Sequence, residues 1–237
     1  METQVGKSGF LRRESLTRCS IIDPELPADL IEQLWRKPES LIDQGEILRR
    51  TNLRRTVRLT WADKQYVLKH YRPTWWHFLR QLPLRSWAAS TFRVTHELIR
   101  AGIATPKPVA CVENRWGTLR RDSFLMYEYV EGVTLRDYLA EEAEEAYTIA
   151  ARVARQIRDF WRRVEELRLG LADAHTGNFI VCPAGNLWVI DLDKTRFHRW
   201  SRVAARDQEL AWEKFVSSAY KCGPVDVTNL RQRRLYK

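Results

Sequence analysis

The chain has little cysteine, and what it has is not arranged for work. Cys19, Cys111, Cys182 and Cys222 lie far apart, with no Cys-x-x-Cys pair and no clustered histidine. That excludes a zinc ribbon and a disulfide framework. Long apolar runs are missing too. No stretch approaches the roughly 18 apolar residues of a membrane span, and Met1 to Phe10 lacks the apolar core of a secretory leader. A cytoplasmic location is therefore expected. Gly6-Lys7-Ser8 has the end of a P-loop but neither its earlier glycine nor a preceding strand, so it is rejected as one.

Positive charge is abundant. The 237 residues carry a net charge of +10, with 40 Lys and Arg spread along the chain and not gathered in a tail. Such a balance points to a polyanionic partner. Nucleic acid, an acidic membrane surface, or a phosphorylated or carboxylated substrate would each satisfy it. Apolar residues make up 44% of the chain, so it is globular and long enough for one large domain or two lobes.

The most informative stretch runs from Leu171 to Asp193. It contains Asp173, Asn178 and Asp191 in the order Asp-x-x-x-x-Asn and then Asp. Phosphoryl transfer needs these types: an acid to accept a hydroxyl proton, beside an amide and a carboxylate that hold Mg²⁺ against nucleotide phosphates. Phe179-Ile180-Val181-Cys182 and Leu187-Trp188-Val189-Ile190 are apolar runs separated by Pro183-Ala184-Gly185-Asn186, which predicts a hairpin. The hairpin would bring Asn178, entering one strand, to the same end as Asp191, leaving the other.

Upstream, residues 1 to about 25 read as polar and irregular, followed by an amphipathic helix over Ala28 to Trp35. From Glu46 the period changes. Ile47-Leu48, Val57 to Trp61 and Tyr66 to Lys69 read as strands of an antiparallel meander, the last two joined by a turn at Ala62 to Gln65. Lys69 closes an apolar triplet on the third strand, in the manner of the Val-Ala-Ile-Lys pattern that meets ATP phosphates. No Gly-x-Gly-x-x-Gly precedes it; phosphates would meet the Arg49 to Thr56 turn instead, with Arg54 or Arg55 within it. Residues 71–87 are dense in Trp and Arg and contain no acid, a composition suited to an anionic headgroup region or to packing between lobes.

Residues 88 to 101 have helical spacing, ended by Gly102, and Glu97 is the acid there that could pair with Lys69. The strand Phe124 to Val130 ends at Glu131-Gly132. In a two-lobed nucleotide enzyme this is the hinge, whose backbone near Glu128 and Val130 would bond adenine. Two helices follow, a short one from Thr134 and a longer one over Glu141 to Leu167 with Ile149, Val153, Ile157, Trp161 and Val164 as its apolar stripe. A last helix is expected around Leu210 to Phe215.

This order of parts resembles the protein-kinase-like superfamily and, within it, the bacterial lipopolysaccharide core kinases that phosphorylate heptose or the octulosonic acid Kdo. The resemblance covers roughly Glu46 to Arg206 and is carried by Lys69, Thr105-Pro106-Lys107-Pro108, Glu128-Tyr129-Val130-Glu131-Gly132, Asp173-Ala174-His175-Thr176-Gly177-Asn178 and Ile190-Asp191-Leu192-Asp193. It implies an α+β, bilobal protein-kinase-like fold with a small antiparallel-sheet N-lobe and a mainly helical C-lobe. The division would be an extension over 1–45, an N-lobe with the hinge at its end over 46–131, and a C-lobe over 132–237. It implies Asp173 as catalytic base, Asn178 and Asp191 as Mg²⁺ ligands, and Lys69 as the phosphate-orienting lysine of an ATP-dependent sugar kinase, heptose being favoured over Kdo. The implied partners are the lipid A-linked core oligosaccharide and an anionic membrane, with no nucleic acid, at the inner face of the inner membrane. Leu171 stands where many kinases have His, and Asp193 replaces the Gly of Asp-Phe-Gly. Both departures argue against a regulated protein kinase. The alternatives are an aminoglycoside-type small-metabolite phosphotransferase, whose cationic substrates fit poorly with this charge, and a catalytically silent kinase-like module that binds an anionic membrane.

Overall fold

The computed structural model describes residues 2–5, 9–72, 86–116, 119–140 and 146–222. The chain divides into two compact units, one of residues 1–96 and 107–129, the other of residues 97–106 and 130–237.

The first unit is built on one antiparallel sheet. Its strands are β1 (Glu2–Val5), β2 (Leu11–Glu14), β3 (Arg18–Ile22), β4 (Glu46–Arg50), β5 (Arg54–Trp61), β6 (Lys64–Tyr71), β7 (Pro108–Trp116) and β8 (Leu119–Glu128). They lie in the order β1-β2-β3-β7-β8-β6-β5-β4. Period-two alternation gives this sheet two apolar faces. Val57, Leu59, Leu68, Phe124 and Met126 face one way, where helices α1 (Ala28–Arg36) and α2 (Pro38–Gln44) cover them with Leu30, Leu34 and Leu41. Tyr71, Cys111, Leu125 and Tyr127 face the other way, against Ala88 and Phe92 of helix α3 (Trp87–Arg100). Each of the buried Val, Leu, Phe and Met side chains among these contributes roughly 1.5–3 kcal/mol through its removal from water. Ala62 and Asp63 connect β5 to β6 with φ of 46° and 62°, the left-handed pair that a two-residue hairpin needs.

The meander read from Glu46 onward is present. The irregular segment expected over residues 1 to 25 is not: β2 and β3 extend the sheet, with Ile21 opposite Cys111 and Ile22 opposite Ala110. The reason is that β3 satisfies its backbone on β7, about ninety positions away, while Arg12, Arg13 and Glu14 make β2 read as polar. The Trp- and Arg-rich segment lies, for residues 73–85, outside the described residues.

Helix α3 ends as its sequence predicts. Gly102 takes φ 78°, the Gly102 N–H donates to the Ile99 carbonyl, and the Ile103 N–H reaches back to Leu98, closing the last carbonyls.

The second unit is mainly helical: α4 (Leu135–Ala140), α5 (Ala146–Glu166) and α6 (Ser201–Tyr220). Its short strands are β9 (Val133–Thr134), β10 (Leu169–Leu171), β11 (Phe179–Val181), β12 (Leu187–Val189) and β13 (Thr195–Phe197). They form a pair, β10-β13, and a triplet, β12-β11-β9. Of the expected stripe, Val153, Ile157, Trp161 and Val164 of α5 are buried, and the side chain of Ile149 lies outside those described. Their partners are aromatic: Trp161 meets Trp212 edge-on at 5.2 Å and Phe215 at 5.6 Å, and Phe160 meets Phe179 at 5.2 Å. This stack seats α5 and α6 behind the segment from Leu171 to Asp193. Among the described residues no helix is long and apolar enough to cross a membrane.

Candidate functional site

In the helical unit, the chain leaves β10 at Leu171, makes one 3₁₀ turn over Thr176–Asn178 and enters β11. Polar ties fix this loop at both ends. The Asn178 N–H donates to the His175 carbonyl at 2.9 Å, and its side-chain Nδ2 donates to the Asp173 carbonyl at 2.7 Å. Asn178 is buried, so this bond is made where losing it would be costly. It also orients the amide: with Nδ2 committed, Oδ1 is the side chain's remaining acceptor. Asp173 itself is exposed, and His175 Nε2 lies 3.9 Å from its Oδ1.

The predicted hairpin does what was expected of it. β11 and β12 pair with Phe179 opposite Val189, and the ladder runs one step further, the Ile190 N–H donating to the Asn178 carbonyl at 2.8 Å. Asp191 follows directly, at φ 58°. A non-glycine residue in the left-handed region is uncommon and costs roughly 1–3 kcal/mol unless its surroundings hold it there, a feature that gathers at working sites.

The β10-β13 pair adds a relationship that the sequence did not reveal. Leu171 sits opposite Thr195, and the Thr195 N–H closes a turn onto the Leu192 carbonyl at 3.0 Å. Asp173 and Asp193 therefore lie just past the same end of this ribbon. Three further residues position the loop without any local sequence signal. Lys214 Nζ donates to the Ala172 carbonyl at 2.6 Å, and Ser218 Oγ accepts from the Thr176 N–H at 3.1 Å and bonds the Thr176 hydroxyl at 2.7 Å. Arg136 packs against Gly177, where an added Cβ would meet its guanidinium at 2.5 Å. All three stand on helices some forty residues away in sequence, so nothing in the motif announces them.

In the sheet unit, Lys69 lies on β6 between Thr56 and Leu125 and is buried, its Nζ 5.6 Å from the centre of the Tyr127 ring. It shares the α3 face with Tyr71, Leu125 and Tyr127. A buried lysine is a rare placement, and one over an aromatic face gains from the ring's quadrupole. Glu97, in the last turn of α3, falls in the helical unit; it is half-buried and accepts the Ala101 N–H on its carbonyl. The end of β8 is tightly held: the Glu128 N–H donates to the Lys107 carbonyl at 2.9 Å and the Tyr129 N–H to Gln65 at 3.0 Å. The Lys107 ammonium in turn pairs with Asp23 at 2.8 Å. That hydrogen bond, opposed by partial burial, raises the lysine's pKa.

Among the described residues no cluster of three or more His, Cys, Asp or Glu could cage a metal. The donors present suit a different arrangement. Mg²⁺ is commonly held by one or two protein oxygens with substrate phosphates completing its shell, and the Asn178 amide oxygen with the Asp191 carboxylate is such a set.

A model of the lipopolysaccharide kinase (Kdo/WaaP) family matches residues 32–232. A 3-deoxy-D-manno-octulosonic acid kinase of Xylella fastidiosa (strain M12) is 33% identical over 104 residues, which is 44% of this chain and 39% of that protein. A protein of the same name from strain M23 is 29% identical over 140 residues, 55% of this chain and 53% of the relative. The chain thus matches about half, or less, of the length of these relatives. A solved structure described as WaaP in complex with acyl carrier protein superposes with a TM-score of 0.63 over 87% of this chain and 83% of that one, at 20% identity. That likeness carries the fold, which is protein-kinase-like. The family match runs from within α1 to beyond α6 and takes in both units, so the chain belongs to the lipopolysaccharide kinase (Kdo/WaaP) family.

Proposed function

We propose that the protein transfers the γ-phosphoryl group of ATP to a sugar hydroxyl of the lipopolysaccharide inner core, with Mg²⁺, as a peripheral protein at the inner face of the inner membrane. The observation that most supports this is the tie between Asn178 and Asp173, followed by Asp191 at the end of the same ladder. The main chain at the proposed base is thereby tied to the residue that carries the amide oxygen, and through the ladder to the residue before Asp191, which favours the positioning that phosphoryl transfer demands.

In this reading the Asp173 carboxylate takes the proton from the sugar hydroxyl as the new oxygen–phosphorus bond forms and the bond to the β-phosphate oxygen breaks, releasing ADP. Asn178 and Asp191 would hold Mg²⁺, which supplies positive charge to the phosphates. Lys69 would orient those phosphates as a fixed cation, with Glu97 as its counter-charge. The Glu128 and Tyr129 amides are committed to the sheet, so reading of adenine falls to the Glu128 carbonyl and to Val130 N–H, the second amide past the strand. The basic surface suits an acceptor that carries carboxylates and phosphates.

Two acceptors compete. The catalytic-loop sequence favours heptose, while the relatives are named for the octulosonic acid. Incubating purified protein with Mg·ATP and core oligosaccharides bearing or lacking each sugar, and locating the new phosphate by mass spectrometry, separates them. Soluble aminoglycosides belong in the same screen. Transfer to these alone would replace the proposal with the small-metabolite reading.

A further inference from the structure

The segment after Asp191 has no part in the phosphoryl transfer proposed above, yet it lines a concavity in the helical unit. A cleft of about 370 Å³ opens beside the catalytic loop, between the backbone of Gly170 to Ala172, the strand β13 and the outer face of α6. Lys194 and Arg196 line it from the β13 side, and Asp207, Leu210 and Lys214 from α6.

Its charge is lopsided. Three cations face one carboxylate, and Asp207 already has His198 Nε2 at 2.9 Å, close enough for an ion pair though off line for a hydrogen bond. Lys214 spends one N–H on the Ala172 carbonyl, leaving an ammonium with two more to give. Lys194 and Arg196 are exposed, and among the described residues neither pairs with a carboxylate. Cations left without acids in a concave site attract an anion and can hold it with charge-assisted hydrogen bonds. Leu171, Leu210 and Ala211 supply an apolar floor, which suits the C–H face of a sugar ring. The cleft also has a position relative to the proposed base: Ala172 precedes Asp173, and adjacent Cα atoms are about 3.8 Å apart.

We propose that this cleft binds an anionic substituent, carboxylate or phosphate, of the acceptor saccharide and so presents the neighbouring hydroxyl to Asp173. The assignment rests on the acceptor being an acidic core saccharide. Lys194 and Arg196 are its specificity-determining contacts, and Lys214 serves both the ligand and the loop.

The test uses the full chain, Mg·ATP and de-O-acylated core oligosaccharide. The Lys194→Ala, Arg196→Ala double variant is expected to raise KM for the oligosaccharide at least tenfold, as loss of charge-assisted contacts does, while Kd for Mg·ATP stays within twofold. In a second arm, wild-type protein is given oligosaccharide whose carboxyls have been reduced to alcohols, or whose phosphates have been removed. The treatment that raises KM for wild type, and raises it no further for the double variant, names the bound group. A folded double variant with unchanged KM overturns the proposal. Should the variant not fold, wild type accepting both neutralised oligosaccharides with unchanged KM overturns it equally. Wild-type protein that phosphorylates no core oligosaccharide sinks the functional reading itself, and the cleft's assignment with it.

Discussion

The side-chain amide of Asn178 donates to the main-chain carbonyl of Asp173 at 2.7 Å, joining the residue proposed to hold metal to the residue proposed to take a proton. Asn178→Asp should separate the two duties. It keeps an oxygen for Mg²⁺ but turns a donor into an acceptor facing a carbonyl, so the loop loosens. Both Asn178→Asp and Asn178→Ala should lose turnover by about a hundredfold or more, and stability by roughly 1–3 kcal/mol, the cost of an unpaired buried polar group. Single-turnover kinetics and denaturant melts measure the two effects. Wild-type activity in the Asp variant would show that the tie is not needed.

Asp173 is the opposite kind of position. Its side chain is exposed and helps little in packing, so Asp173→Asn should leave stability within roughly 0.5 kcal/mol of wild type. Turnover should nonetheless fall by about 10²- to 10⁴-fold, the usual worth of a general base, with Mg·ATP affinity retained. Rapid-quench transfer to core oligosaccharide alongside calorimetric titration of Mg·ATP reads both. A variant that transfers phosphate at the wild-type rate removes Asp173 from the mechanism.

The sequence showed most where local chemistry decides the structure. The turn read over Ala62 to Gln65, the Gly102 stop and the Phe179 to Ile190 hairpin all follow from residue types within a few positions, and each is present, the first narrowed to Ala62-Asp63 with Lys64 and Gln65 already in β6. Strand β3 was missed because Arg18 to Ile22 is short and its partner is remote. Ser218, Lys214 and Arg136 were missed for the same reason: they act on the Asp173 loop through contacts that only the packing of α4 and α6 brings about. Asp193 read as a mere departure from a pattern, whereas the β10-β13 register places it at the same ribbon end as Asp173.

Acid should weaken the sheet unit through one identifiable pair. His70 Nε2 lies 3.1 Å from Asp122 Oδ2, and the His70 ring stacks on Phe124 at 4.3 Å. The hydrogen bond from His70 holds the Asp122 carboxyl below its ordinary 3.8, against the opposing effect of burial, with His70, Arg72 and Arg121 adding their charges. A carboxyl depressed on folding contributes stability that is complete above the unfolded pKa and is lost as pH falls through the folded one. Asp122→Asn should therefore be less stable than wild type at pH 6, and the difference should hold down to the carboxyl's ordinary 3.8 and shrink only below it, as pH falls toward the lower folded-state value. Urea melts from pH 6 to 3 follow this. Parallel curves would mean that the pair contributes nothing.

Gly132 tests whether the strand triplet supports the site. Its φ is 152°, and a Cβ there would run into the carbonyl oxygen of Val181 and the Ile180 side chain. The obstruction is largely backbone, so it cannot swing aside as a side-chain tip could. Val133 and Thr134 pair with Val181 and Ile180, and the other end of that same β11 strand begins at Phe179, directly after Asn178. Gly132→Ala must strain its own backbone or push β9 off β11, at a cost of roughly 1–3 kcal/mol. If β9 is displaced, the support of β11 weakens and the Asn178 amide should exchange faster with solvent deuterium, while amides of β5 and β6 in the sheet unit keep their wild-type protection. Hydrogen exchange read by mass spectrometry resolves these segments. A shift of the urea midpoint by less than the equivalent of about 0.5 kcal/mol, with exchange at Asn178 unchanged, would show that the triplet yields locally and does not brace the Asn178 end of β11, which is proposed to bind metal.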